Sequence, residues 1–216
     1  MPFLTSNHNS VQSKKESLSS KASMKTSSLV NLPTRYGTCK IKLYLDKQTN
    51  KEHIALIVGK LKSDSIPLVR LHSECLTGDV FGSLRCDCGS QLNLALKLMS
   101  ENGSGVLLYL RQEGRGIGLE KKLEAYFIQD QGYDTVEANT ILGFPPDLRD
   151  YSIGAQMLLD LGINQIRLLT NNPLKIKQLE RHEIKVVERI PLITQCTPEN
   201  HFYLHTKQTK MGHLLG

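Results

Sequence analysis

The hydrophobic period of this chain changes at Gln91, and that change constrains its fold more than any other feature. Before it, apolar and β-branched residues cluster or alternate in short runs at 38–45, 53–60 and 68–72, as strands do. After it, Leu92, Ala95, Leu96 and Met99 fall on one face of a 3.6-period helix, which Asn102-Gly103 ends. From there strands and helices alternate. A buried-strand run at 105–112 leads to a helix at about 119–131 and a second near 150–161, closed by Gly162. A strand at 165–170, a helix from Pro173 to about His182 and a strand at 185–190 follow, with a short helix within 201–215. Strands in close succession can pair antiparallel, whereas parallel strands need a long crossover. The chain is therefore expected to be α/β (mixed α+β), a single domain with a mixed, partly antiparallel sheet flanked by helices. Its 216 residues suffice for one such core, and no internal repeat divides them.

Residues 1–31 hold nine serines and few large apolar residues, so they read as a disordered Ser/Lys-rich extension, with order beginning near Leu32. They carry Lys14, Lys15, Lys21 and Lys25 against Glu16, which is +3 of the chain's net +6. The other +3 is spread over the rest of the chain, with no tryptophan and no arginine-rich stripe, so no nucleic-acid partner is expected. No apolar run reaches the roughly 18 residues of a membrane span, and no membrane partner is expected. The start has neither a secretory nor an Arg-rich transit pattern, which points to a cytoplasmic location. In that compartment cysteines more often hold metal or react than form disulfides. Cys39 and Cys196 stand apart from the other three and are expected to be ordinary buried or half-buried residues.

The remaining cysteines, Cys75, Cys86 and Cys88, follow a C-x10-C-x-C spacing within "HSECLTGDVFGSLRCDCGSQ". Three thiolates can hold zinc and leave its fourth position for water, as catalytic sites do, or a fourth ligand such as His72 can close a structural site. Three thiolates also make a zinc-bound water less acidic than three imidazoles would. A neighbouring acid or base then becomes useful, and Glu74 and Asp87 are candidates. The Gly-rich "RQEGRGIGL" at 111–119 lies between a strand and a helix, where backbone N–H groups favour anions, and Arg111 and Arg115 add charge. Glu113 there could accept both N–H donors along the amidine edge of guanine. Asp147 and Arg149 read from the letters alone as a solvated pair at a helix start. In "TNNPLK", Pro173 takes the first helical position and Lys175 could reach a phosphate. Polar loops at strand ends are where α/β sheets usually build ligand sites.

Taken in order, "HSECLTGD", "LRCDCG", "RQEGRGIGL", "DQGYDTVEAN", "DLRDYSIG", "LLTNNPLK" and "MGHLL" resemble GTP cyclohydrolase II of riboflavin biosynthesis, over about residues 32–216. The resemblance implies an enzyme that opens the imidazole ring of GTP, releases formate and pyrophosphate, and leaves a diamino-ribosylamino-pyrimidinone 5′-phosphate. It implies one zinc per subunit on Cys75, Cys86 and Cys88, and magnesium with the triphosphate. Contacts to GTP would come from Arg70, Leu71, His72, Ser73, Glu74, Gln91, Glu113, Gly114, Arg115, Thr135, Thr170 and Lys175. Asp147 would be the proton acceptor, Arg149 the nucleophile, and Tyr126 would serve the ring-opening half. A homodimer is implied as well. Many relatives carry a fused dihydroxybutanone-phosphate synthase domain, for which this chain is too short. A nucleotide-binding paralogue without catalysis is the rival from another class. A zinc ribbon lacks its second cysteine pair here.

Overall fold

The computed structural model describes residues 24–61 and 64–215. The first twenty-three residues of the expected extension lie outside the described residues. The last part of that extension does not behave as expected: β1 (Met24–Thr26) and β2 (Val30–Thr34) are both strands. They lie antiparallel along β3 (Gly37–Asp46), β1 opposite residues 44–46 and β2 opposite residues 37–41. Ordered chain therefore begins by Met24. Both strands are mostly exposed and held through backbone hydrogen bonds, so they carry no apolar pattern from which to read them.

β3 pairs antiparallel with β4 (Lys51–Gly59), and β4 with β6 (Ser104–Leu110). From β6 the sheet turns parallel through β5 (Leu68–Ser73), β7 (Gln165–Leu169) and β8 (Lys185–Ile190). The strand order is β1-β3-β4-β6-β5-β7-β8, with β2 on the outer edge of β3. The sheet is thus mixed: the strands up to β4 pair antiparallel, β6 joins them antiparallel to β4 across the intervening β5 and helices, and the parallel pairs are all between strands separated by helices.

Two apolar layers follow from the pleat, which sends successive side chains to opposite faces. On β6, Val106, Leu108 and Leu110 join one core with Tyr44, Val69 and Leu71. Helices α5 (Ser152–Asp160) and α6 (Pro173–Arg181) cover that face with Ala155, Leu158 and Leu179. Leu107 faces the other way, toward Ala95 and Met99 of α2 (Cys88–Glu101). Five further elements are found among the described residues. They are α1 (Leu76–Asp79), a 3-10 turn (Glu113–Gly116) running into α3 (Gly118–Gln129), α4 (Thr135–Ile141) and α7 (His201–Met211).

The parallel strands β5, β6 and β7 end on the same side of the sheet. The loops that follow them begin at Glu74, Arg111 and Thr170, and the polar density of the sequence gathers there. Of the two outlying cysteines, Cys39 is buried as expected and Cys196 is exposed, contrary to expectation, because it lies in the irregular segment between β8 and α7. Among the described residues no helix is long and apolar enough to cross a membrane.

Candidate active site

One cleft with two compartments opens at these strand ends. Ser73, Cys88, Arg115, Arg149 and Tyr203 line both compartments and so form the wall between them. The first compartment holds the thiols. Cys75 precedes α1, Cys88 opens α2, and the sulfur atoms of Cys75, Cys86 and Cys88 all lie within 4.8 Å of one another. The helices approach closely because both contact residues lack a side chain. A Cβ on Gly89 would meet the carbonyl oxygen of Gly78 at 2.2 Å, and one on Gly78 would meet the Cys86 and Cys75 sulfurs at 3.1 and 3.2 Å.

Zinc–sulfur bonds of about 2.3 Å in tetrahedral ligation need sulfur–sulfur edges of about 3.8 Å. The 3.7 Å between Cys75 and Cys86 Sγ suits that requirement. His72 is no fourth ligand. Its Nε2 lies 3.0 Å from both carboxylate oxygens of Asp79, which also accept the Cys75 N–H at 3.0 Å and the Tyr109 hydroxyl at 2.8 Å. The three-thiol cluster therefore keeps one face toward the compartment. Hydrogen bonds from Cys86 and Cys88, aided by the Lys122 ammonium, hold the Cys75 thiol well below its ordinary range. The same sharing pushes Cys86 up to about 11 and Cys88 upward too, as expected when close thiols lose their protons one at a time.

Lys122 was not singled out in the sequence. From one turn into α3 its Nζ donates to Cys75 Sγ at 3.2 Å and to Glu113 Oε1 at 2.7 Å. Burial works against its charge, but Glu113 and Cys75 outweigh it and raise the pKa. Glu113 Oε2 also accepts the Leu76 N–H at 2.6 Å, and the side chain lines the thiol compartment. Tyr126, a turn further along α3, is within 3.2 Å of the Thr77 hydroxyl, which lies 3.7 Å from Cys75 Sγ. Glu74 lines the compartment and pairs with Arg111 Nε at 3.1 Å; burial raises its pKa. Asp87 is not available as a base, because Lys207 and Gln91 occupy its two oxygens.

On α4, Thr135 and Asn139 line the thiol compartment one turn apart, and Asn139 Nδ2 is buried without a partner. The sequence pattern missed this helix, although Asp134 and Glu137 form a capping box whose D-x-x-E spacing was legible.

The second compartment is basic. Arg70 donates to Leu169 O at 3.0 Å and to Gln91 Oε1 at 2.5 Å, and Gln91 passes the contact on to Asp87. Lys175, fully buried, donates to Leu71 O at 2.8 Å, and burial with the neighbouring Arg70 and Arg149 lowers its pKa. Thr170 accepts the Asn172 N–H and lines the same space. Arg115 sits at φ +60°, an unusual conformation for a side-chain residue, beside Gly114 at +61°. Both its terminal nitrogens are buried without partners. Leu71, expected among the substrate contacts, instead turns its side chain into the core, because strand neighbours Arg70 and His72 take the opposite face. Between the compartments Asp147 and Arg149 form a two-point pair, Nε to Oδ1 at 2.8 Å and Nη2 to Oδ2 at 2.5 Å. Burial alone would raise the Asp147 pKa, but the guanidinium brings it down. The pair is half-buried rather than a solvated surface pair, and Arg149 lines both compartments.

The family model of GTP cyclohydrolase II matches residues 25–191, so the match includes β2 and nearly all of β1, and stops before α7. The riboflavin biosynthesis protein RibBA of Bacillus cytotoxicus is 60% identical over 186 residues, which is 86% of this chain and 47% of that protein. RibBA of Bacillus cereus strain AH187 is 58% identical over the same shares, and that of Bacillus velezensis 57% over 187 residues. The chain thus spans about half the length of these relatives. With a match of this extent laid over a three-thiol compartment joined to a basic one, the chain belongs to the GTP cyclohydrolase II family.

Proposed function

We propose that the protein hydrolyses GTP, opening its imidazole ring with release of formate and cleaving its triphosphate with release of pyrophosphate. The product is the diamino-ribosylamino-pyrimidinone 5′-phosphate that begins riboflavin biosynthesis. The observation that carries this reading is the shared wall: a cluster of three thiols and a cationic compartment adjoin across Arg115 and Arg149. A purine lying at the thiols would direct its phosphates into the basic side.

Cys75, Cys86 and Cys88 would hold zinc, whose contribution when bound is Lewis-acid activation of water. Lys122 offsets the negative charge that three thiolates concentrate, while Glu113 keeps that ammonium in place. Glu74, with its raised pKa, would serve proton transfer at the ring, and Tyr126 lines the same compartment. Thr135 and Asn139 offer the base its polar contacts. Arg70, Arg115, Thr170 and Lys175 take the phosphates. Among the residues lining that compartment there is no carboxylate, so magnesium would arrive on the triphosphate rather than in a protein cage. At the α-phosphorus, Asp147 would take a proton from Arg149 as a nitrogen–phosphorus bond forms and the bond to pyrophosphate breaks. A second reading rests on the same pair: Asp147 and the neighbouring Tyr151 raise the Arg149 pKa against its burial, which favours a charged guanidinium that stabilises the phosphoryl group while water attacks. The reading includes a homodimer in the cytoplasm, with a mass in solution near twice the 24.2 kDa of the chain.

The test is formate and pyrophosphate released from GTP with magnesium, using zinc-loaded and zinc-stripped protein. Both products from loaded protein, with formate lost on stripping, support the reading. Binding of GTP without either product would leave a nucleotide-binding paralogue.

A further inference from the structure

One wall of the basic compartment lies past residue 191, where the match of the family model ends, in the stretch that carries the "MGHLL" motif. Tyr203, Lys207, Met211 and His213 all line it, and all lie beyond residue 191. This C-terminal segment is fastened at three points. Lys207 Nζ donates to Asp87 Oδ1 at 2.7 Å, a buried pair set between two of the thiols in sequence. Lys210 pairs with Asp134 and Glu137 of α4. Past the helix end, the Leu214 N–H donates to Asn171 O at 2.8 Å, in the loop after β7. Gly212, at φ +64°, makes the turn that brings the His213 N–H back onto Lys207 O at 3.0 Å. The effect is to aim one side chain. His213 Nε2 is buried, has no hydrogen-bond partner, and shares its compartment with the unpartnered terminal nitrogens of Arg115.

A buried polar atom without a partner needs an explanation, and a missing ligand is one. Burial, then the charges of Lys207, Arg149, Lys175 and Arg115, bring the His213 pKa down to about 3. The imidazole is therefore neutral at neutral pH. It can donate one N–H to an anion without adding a charge to a compartment that already has several. We propose that His213 is a substrate contact, donating from Nε2 to a phosphate oxygen of the triphosphate, and that Lys207 is the positioning residue that docks its segment. This inference deepens the GTP reading and rests on it.

The experiment compares full-length wild type, His213→Ala and His213→Gln, all zinc-loaded, in two assays. One is calorimetric binding of inorganic tripolyphosphate and the other is steady-state GTP turnover, with zinc content and melting temperature as controls. His213→Ala is expected to weaken tripolyphosphate binding and raise KM for GTP by about tenfold each, or about 1.4 kcal/mol. Zinc content and melting temperature should stay unchanged. His213→Gln, which keeps an N–H donor, should recover most of both. An Ala variant that binds tripolyphosphate as tightly as wild type would overturn the proposal while leaving the GTP reading intact. So would equal losses in the Ala and Gln variants, since a donor role predicts a difference. Wild type that neither binds GTP nor releases either product would instead remove the reading beneath it.

Discussion

Lys122 meets two demands at once. Its ammonium lies against a thiol that is to carry negative charge, and against a carboxylate that has little other solvation, with only about a tenth of each partner's side chain exposed in the Glu113 pair. Removing one partner of such a buried pair typically costs about 3–5 kcal/mol, because the other charge stays buried. Groups that steady metal ligands from outside commonly matter about 10–100-fold for affinity. Lys122→Met is therefore expected to lower zinc affinity by about that range in a chelator competition, alongside a lower melting temperature. Zinc retained at wild-type affinity would leave the lysine only a packing role. At Arg149 the two readings separate by geometry. Lysine keeps the charge but not the two-point grip on Asp147, so Arg149→Lys should cut pyrophosphate release by about 10²–10³-fold if the fork is needed. Release near the wild-type rate would favour a role as charge alone. Neither the lysine nor its partners could be paired from the sequence, where Lys122 and Cys75 stand 47 residues apart.

At the scale of elements, the loop that carries the three thiols depends on how α1 meets α2. The helices touch backbone to backbone at Gly78 and Gly89, and that contact sets the spread of the thiols at their ends. Adding one methyl at Gly89 would place a Cβ 2.2 Å from a carbonyl oxygen, so the helices must part. Gly89→Ala is expected to destabilise the fold by about 1–3 kcal/mol, the usual cost of overpacking. Its cobalt-substituted form should show altered thiolate-to-metal charge-transfer bands. Unchanged bands and melting would mean the loop accommodates the methyl. The helix spans themselves were readable: α2, α3, α5, α6 and α7 all lie where periodicity and Gly or Pro punctuation put them. α1 is one turn long and α4 barely two, too short for a period to declare itself. β1 and β2 satisfy the edge of β3 through backbone groups, which any sequence possesses.

For the whole molecule, acid stability has a named contributor. His53 on β4 is buried, and its Nδ1 accepts the Arg111 N–H at 3.1 Å, tying the antiparallel half to the loop of the cleft. Burial is the main cause that lowers its pKa to about 4; Asp46 opposes the shift, while Lys51 and Arg111 reinforce it. Between about pH 6.5 and pH 4 the unfolded chain therefore binds a proton that the folded one refuses. Stability rises with pH through that window and is lost as pH falls through it. A shift of this size is worth up to about 3 kcal/mol, or roughly 6–12 °C of melting temperature for a chain of this length. Melting curves across that window should show the fall, and His53→Gln should flatten it. An unchanged slope in the variant would assign the acid sensitivity elsewhere. By itself, the amino-acid order determined the mixed sheet, the strands and helices with buried faces, the thiol trio and the Gly-rich turn. Each of these is written in local spacing, through side chains that must alternate, recur or stand a few residues apart. Only the tertiary structure decided that His72 belongs to Asp79, that Lys122 faces Cys75, that the half-buried Arg149, gripped by Asp147, stands between two compartments, and that the C-terminal helix closes the basic one. Lys122 and Cys75 stand 47 positions apart and Lys207 and Asp87 120, so the crossovers of the sheet bring them together, and the pairs that are close in sequence depend on what the fold packs around them rather than on any pattern along the chain.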